Sequence, residues 1–272
     1  RLKPAPKLQQ AFLAQLPFVL TRAQARVCGE IAEDLARPVP MLRLVQGDVG
    51  SGKTVVAALT ALAAVAAGKQ AAIMAPTEIL AEQHRINFGK WLEPLGIKVG
   101  WLTGKLKVGE RRTQMADIAS GEAQVVVGTH ALFQEAVEFS DLGLVVIDEQ
   151  HRFGVHQRLA LRNKGNSGDL RPHQLIMTAT PIPRTLAMSA YADLDCSIID
   201  ELPPNRTPVT TVVIADLRRE EVIERVRLGC EQGRQAYWVC TLIEESEALE
   251  AQAAQATAES LALALPQLRI GL

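Results

Sequence analysis

The chain has 272 residues, 48% hydrophobic but only 4% aromatic, and a formal net charge of −1. That apolar content supports a large core in one or two domains, and the balanced charge excludes a protein that coats nucleic acid over its whole surface, so any such contact must be local. The four cysteines, Cys28, Cys196, Cys230 and Cys240, have no metal-ligand or redox spacing and read as core residues in a reducing cytosol; no secretory leader is recognisable, and the apolar run at 55–67 is too short to span a bilayer.

In chain order, residues 41–45 read as a strand and 55–67 as an alanine-rich helix. Between them lies Gly47-Asp48-Val49-Gly50-Ser51-Gly52-Lys53-Thr54, a G-x-x-x-x-G-K-T phosphate-binding loop. Glycines let such a loop curl closely around phosphate, and unpaired N–H groups at the following helix start favour an anion. Lys53 would reach the β- and γ-phosphates, and the Thr54 hydroxyl would ligate Mg²⁺. A strand at 70–75 and a helix at 76–91 follow, then a strand at 97–102, a helix at 109–120 and a strand at 125–127 that ends in Gly128-Thr129-His130. The apolar strand at 144–147 ends in Asp148-Glu149-Gln150-His151, where Asp148 would hold the Mg²⁺ and Glu149 would orient or deprotonate the attacking water. A strand at 174–177 ends in Thr178-Ala179-Thr180.

Strands alternating with helices predict a parallel sheet with right-handed crossovers, which binds ligands beyond the carboxyl ends of its strands. Every one of these polar clusters falls at such an end. The proline-rich stretch 203–208 reads as a linker, so residues 1–202 form one domain. Beyond the linker, a strand at 209–214, a helix at 218–230, a strand at 235–239, a helix at 243–265 and the start of a strand at 268–272 make residues 209–272 the first part of a second domain.

Two local basic stretches stand out, Lys98, Lys105, Lys107, Arg111 and Arg112 against Glu110, and Arg152, Arg158, Arg162, Lys164 and Arg171 against Asp169. Charge alone leaves each open between a nucleic-acid contact and a solvated surface. Trp101 and Phe133 lie on apolar runs and read as core rather than as platforms for bases.

The phosphate loop, then APTEILAEQH, VGTHAL, VVIDEQH and TATPIPRT, in that order, resemble the motor motifs of superfamily 2 helicases. DEQHRFGVHQRLAL and TATPIPRTLAMSAYADLD give the chain, from about residue 16 to its end, a specific resemblance to RecG-type ATP-dependent DNA helicases, which remodel stalled forks and Holliday junctions. The transcription-repair coupling translocase shares TATPIPRTL but usually carries a second Glu where this chain has Gln150. The motor motifs also fit an RNA helicase. A nucleotide-gated switch without turnover would share the phosphate loop but has no need of Glu149.

The resemblance implies an α/β fold: a RecA-like P-loop NTPase domain with a parallel sheet, followed by an incomplete second RecA-like domain. It implies ATP and Mg²⁺ as cofactors, branched DNA as partner, a monomer, and a bacterial cytoplasmic, nucleoid-associated location. By motif, Gln24 reads adenine through its amide, although a simple helix cap at Thr21 beside an exposed glutamine stays open. Pro76, Thr77, Gly128, Thr129 and His130 contact the DNA backbone, unless they are ordinary strand-to-helix caps. Gln150, His151, Thr178 and Thr180 couple hydrolysis to DNA movement, unless His151 simply holds a loop. The family's arginine finger, in a late G-R-x-G-R motif, and its DNA-recognising wedge domain fall outside these residues. The chain is therefore expected to be a fragment that binds Mg²⁺–ATP but turns it over slowly.

Overall fold

The structure, a computed structural model, describes residues 2, 6–149, 171–180, 194–203, 209–240 and 247–272. It divides into two compact units, Arg1–Arg206 and Thr207–Leu272.

The first unit is a seven-stranded, wholly parallel sheet in the order β3-β4-β2-β5-β6-β1-β7. In chain order it comprises α1 (Pro6–Gln15), α2 (Arg22–Ala36), β1 (Leu42–Gly47), α3 (Lys53–Ala66), β2 (Gln70–Met74), α4 (Glu78–Leu92), β3 (Val99–Leu102), α5 (Val108–Ser120), β4 (Val125–Gly128), β5 (Leu142–Asp148), β6 (His173–Thr178) and β7 (Asp195–Ile199). The central strands β2 and β4 are buried along their whole length, as valine- and alanine-rich strands covered on both faces must be. The edge strands β3 and β7 show partly exposed positions instead.

Period-two alternation splits the core. Val45, Ile73, Val127, Val146 and Met177 pack with α1, α2, α3 and the Phe88–Leu92 end of α4. Leu44, Met74, Val126, Ile147 and Ile176 face Ile118 of α5 and Leu132. Trp101 and Phe133 pack against these cores, as their apolar runs predicted; the Arg85 guanidinium lies 5.3 Å from the Trp101 ring centre.

Helix α2 starts with a capping box. Thr21 Oγ1 accepts from the Gln24 N–H (3.2 Å), and Gln24 Oε1 accepts from the Thr21 N–H (2.9 Å). A buried polar cluster then ties α2 to β1 and β7: Arg43 donates to Asp34 (2.6 Å) and Ser197 (2.8 Å). At the exit of β7, Arg26 donates to the Ile198 carbonyl and to Asp200, both at 2.9 Å, and the Ala23 N–H donates to Glu201 (3.0 Å).

The second unit departs from expectation. Its described residues form α6 (Arg219–Glu231) and α7 (Glu247–Ala264), but 209–214, 235–239 and 268–272 are not strands. Val209 and Val213 are 84% and 98% exposed. A β-branched run becomes a strand only against a partner ladder, and none is formed among the described residues of this unit. Of the cysteines, Cys28 and Cys196 pack half-buried against the two cores, as expected, whereas Cys240 is exposed and Cys230 only half-buried. Burial pushes the Cys28 thiol up to about 12, which makes it inert.

His173, at the start of β6, is buried and its Nδ1 accepts from the Met41 N–H at 3.0 Å. Burial holds its pKa down at about 4 against an ordinary 6.5, with the charge of Asp34 pulling weakly upward. Unfolding lets the ring take a proton, so the stabilising effect of the neutral ring is complete above about 6.5 and is lost as the pH falls toward 4. His173→Gln, whose amide oxygen can still accept from Met41, is expected to flatten the loss of stability between these pH values in urea unfolding curves.

Candidate nucleotide site

The phosphate loop leaves the end of β1 and enters α3. Gly50 and Gly52 adopt φ of 80° and 88°, and Gly52 N-caps α3 with no side-chain cap of its own, leaving helix N–H groups for an anion. Gly52 is also pressed against α2, since a Cβ there would lie 2.2 Å from Gln24 Nε2. Gln24 is buried and donates to the Ser51 carbonyl at 2.7 Å. So the helix cap at Thr21 is present, but the glutamine beside it is not exposed; it braces the loop, with one amide hydrogen and one lone pair uncommitted among the described residues.

Lys53 Nζ donates to the carbonyls of Gly47 and Asp48, the latter at 3.1 Å. Burial lowers its pKa, and the charges of Asp148, Glu149 and Asp48 oppose that shift without cancelling it. Ser51 Oγ is buried without a partner among the described residues, as a loop built for an oxyanion would leave it.

Asp148 and Glu149 end β5, one strand from β1 across β6. Glu149 has a φ of 49°, in the left-handed region. Its N–H donates to the Met177 carbonyl (2.9 Å), and its carboxylate accepts from Thr178 Oγ1 and the Ala179 N–H, both at 3.0 Å. Thr178 Oγ1 in turn accepts from the Thr180 N–H at 3.1 Å. Asp148 Oδ2 lies 2.8 Å from Nε2 of His84, a buried side chain of α4 that sequence reasoning did not single out. The Thr54 hydroxyl and the Asp148 carboxylate are an all-oxygen pair suited to Mg²⁺, which takes one or two protein oxygens and completes its shell with phosphate and water. No group of three or more His, Cys, Asp or Glu among the described residues could hold a metal unaided.

Pro76-Thr77 and Gly128-Thr129-His130 emerge side by side, because β2 and β4 pair and the Ala75 N–H donates to the Gly128 carbonyl at 3.0 Å. Thr77 and His130 are exposed, while Gly128 and Thr129 are buried. Thr77 caps α4 by accepting from the Leu80 N–H (3.3 Å), and a Cβ on Gly128 would lie 2.0 Å from the Leu102 carbonyl. Of the first basic stretch, Lys98 pairs with Asp117 and Glu122, and Lys105 with Glu78, which mutes its positive character. Gln150, His151 and most of the second basic stretch lie outside the described residues. No helix among the described residues is long and apolar enough to cross a membrane.

A strand–loop–helix carrying Lys53, with an acid pair two strands away on one edge of a parallel sheet, defines a RecA-like P-loop NTPase fold. The DEAD/DEAH box helicase model matches residues 21–189, and the chain belongs to that family. The RecG-type resemblance of the motifs is borne out. The ATP-dependent DNA helicases RecG of Pasteurella multocida and Escherichia coli are 69% and 68% identical to the chain over 266 residues, 97% of its length and 38% of theirs. A solved structure of RecG bound to a three-way DNA junction matches with a TM-score of 0.79 and 43% identity, over 96% of this chain and 34% of that one. The chain thus spans less than half the length of the relatives it matches.

The loop makes a direct prediction. Gly52→Ala places a Cβ against Gln24 at a φ that L-residues resist, and fluorescent ADP titration is expected to show binding weakened at least ~10-fold while the helical circular dichroism is retained.

Proposed function

We propose that the chain is the ATP-binding motor part of a DNA helicase that remodels branched DNA in bacterial recombination and repair, working as a monomer in the cytoplasm at the nucleoid. One observation carries this reading: Lys53, Asp148, Glu149 and Thr178 converge at the carboxyl ends of β1, β5 and β6, the edge where a triphosphate binds such a sheet. The branched-DNA substrate is supported by the junction bound to the RecG relative.

In this reading Gly47, Asp48, Gly50, Ser51 and Gly52 cradle the phosphates, Lys53 binds the β- and γ-oxygens, and Gln24 meets adenine with its uncommitted amide groups. Thr54 and Asp148 hold Mg²⁺, which neutralises charge on the phosphates. Glu149 orients and deprotonates the attacking water. Thr178 senses that carboxylate directly and Thr180 through the Thr178 hydroxyl, and with Gln150 and His151 they tie hydrolysis to movement. Thr77 and His130, with the backbone around Pro76 and Thr129, meet DNA phosphates and carry no sequence information; Gly128 lets the two neighbouring strands approach. The proposed domain limits are 1–202 and 209–272 with a linker at 203–208. Turnover by residues 1–272 alone is low, because an arginine finger of the kind the family carries contributes about 10³- to 10⁵-fold and these residues contain no G-R-x-G-R sequence.

ATP hydrolysis with and without branched DNA tests the reading. Tight Mg²⁺-dependent ATP binding with slow turnover is expected. In the full-length protein, Lys53→Ala should abolish binding, Glu149→Gln should keep ATP bound while slowing hydrolysis about 10²- to 10⁴-fold, and Thr178→Ala should reduce unwinding more than hydrolysis. Failure of the chain to bind ATP, or proportionate loss of both activities in Thr178→Ala, would overturn the corresponding assignment.

A further inference from the structure

We infer that His84 is a positioning residue that holds the metal-facing carboxylate of Asp148 and ties it to helix α4; this rests on the reading of Asp148 as a ligand of nucleotide-bound Mg²⁺. His84 is 6% exposed and lies 64 residues from Asp148 in sequence. The two meet because β2, which feeds α4, pairs directly with β5. A carboxylate only accepts, so the hydrogen of the 2.8 Å contact sits on His84 Nε2. The other ring nitrogen, Nδ1, is buried with no partner among the described residues. Among the described residues the ring thus takes part in no wider polar network, and its edge-on contact with Phe88, at 6.2 Å between centres, would serve an apolar side chain as well. Burying an unpaired nitrogen is unfavourable, so packing does not account for a histidine here. The bond to Asp148 does.

Hydrogen bonds to a ligating carboxylate fix its orientation and raise the affinity of the site for metal. One lone pair of Oδ2 is committed to His84, and the remaining lone pairs of the carboxylate would be left for the ion. The helix that carries His84 is capped by Thr77, seven residues earlier, or about 10 Å along a rigid helix. Thr77 is exposed at the strand ends, on the side proposed to meet the DNA backbone. Displacement of that end of α4 is therefore felt at the carboxylate, by a route separate from the Glu149–Thr178 bond.

The test uses Mn²⁺ as the spin probe and ADP as the nucleotide, with the 272-residue chain. His84→Leu, which cannot donate, is expected to weaken Mn²⁺ binding to the ADP complex about 10- to 100-fold while ADP binding in EDTA is unchanged. His84→Gln, whose Nε2 can reach Asp148, is expected to recover most of that loss. If His84→Leu does not fold by circular dichroism, His84→Asn, which is too short to reach, replaces it with the same expectation. Wild-type Mn²⁺ affinity in the non-donating variant overturns the inference, as does equal weakening with and without metal, or no recovery in His84→Gln. Asp148→Asn separates the two levels: if it leaves Mn²⁺ affinity intact, the metal reading of the site fails; if it weakens affinity and His84→Leu does not, only the role of His84 fails.

Discussion

The register of β1, β6 and β5 is the constraint on which the site depends. Gln46 lies opposite Thr178, and Asp148 opposite Met177. The phosphate loop, the acid pair and the threonine therefore leave the sheet at nearly the same level. Both faces of these strands are buried, and alternate residues belong to different cores. A slip of one residue would exchange the two sets and strand the acids away from Lys53. The chemistry is thus set by hydrophobic packing well below it.

Helix α2 secures the outer part of that arrangement. It braces the loop through Gln24, holds β1 through the Arg43–Asp34 pair, and grips the exit of β7 through Ala23 and Arg26. A buried ion pair of this kind adds little net stability, but removing one partner is costly. Its effect is geometric: β7 is an edge strand with one sheet neighbour, β1, and the cluster fixes its place.

Much of the first unit was legible in the sequence because its signals are local. The glycine-lysine loop, the valine runs of β4 and β5 and the strand–helix alternation each report on a few adjacent residues. β7 was not read: Asp195–Ile199 mixes exposed and buried positions and lacks an apolar run. The strands expected at 209–214 and 235–239 failed for the opposite reason, since an apolar run says nothing about whether a partner is present. In the proposed site, Lys53 was marked by the spacing of its loop and Asp148 and Glu149 by the end of an apolar strand, whereas Thr178 was singled out only by the resemblance of its stretch to a helicase motif. The burial of Gln24 against the loop and the meeting of His84 with Asp148 had no such mark. Each depends on which strands are neighbours, and the order β2-β5-β6-β1 is not written in any one stretch of chain.

Glu149 carries a consequence for how this position tolerates change. Its backbone sits in a region that costs a residue other than glycine or asparagine roughly 1–3 kcal/mol, partly offset by what its carboxylate gains from Thr178 and Ala179. Glycine would relieve the backbone there and discard the acid. The turn at 149 is thus held in its unfavourable backbone by its own side chain, so that a change at Thr178 would also loosen the chain direction at the end of the strand.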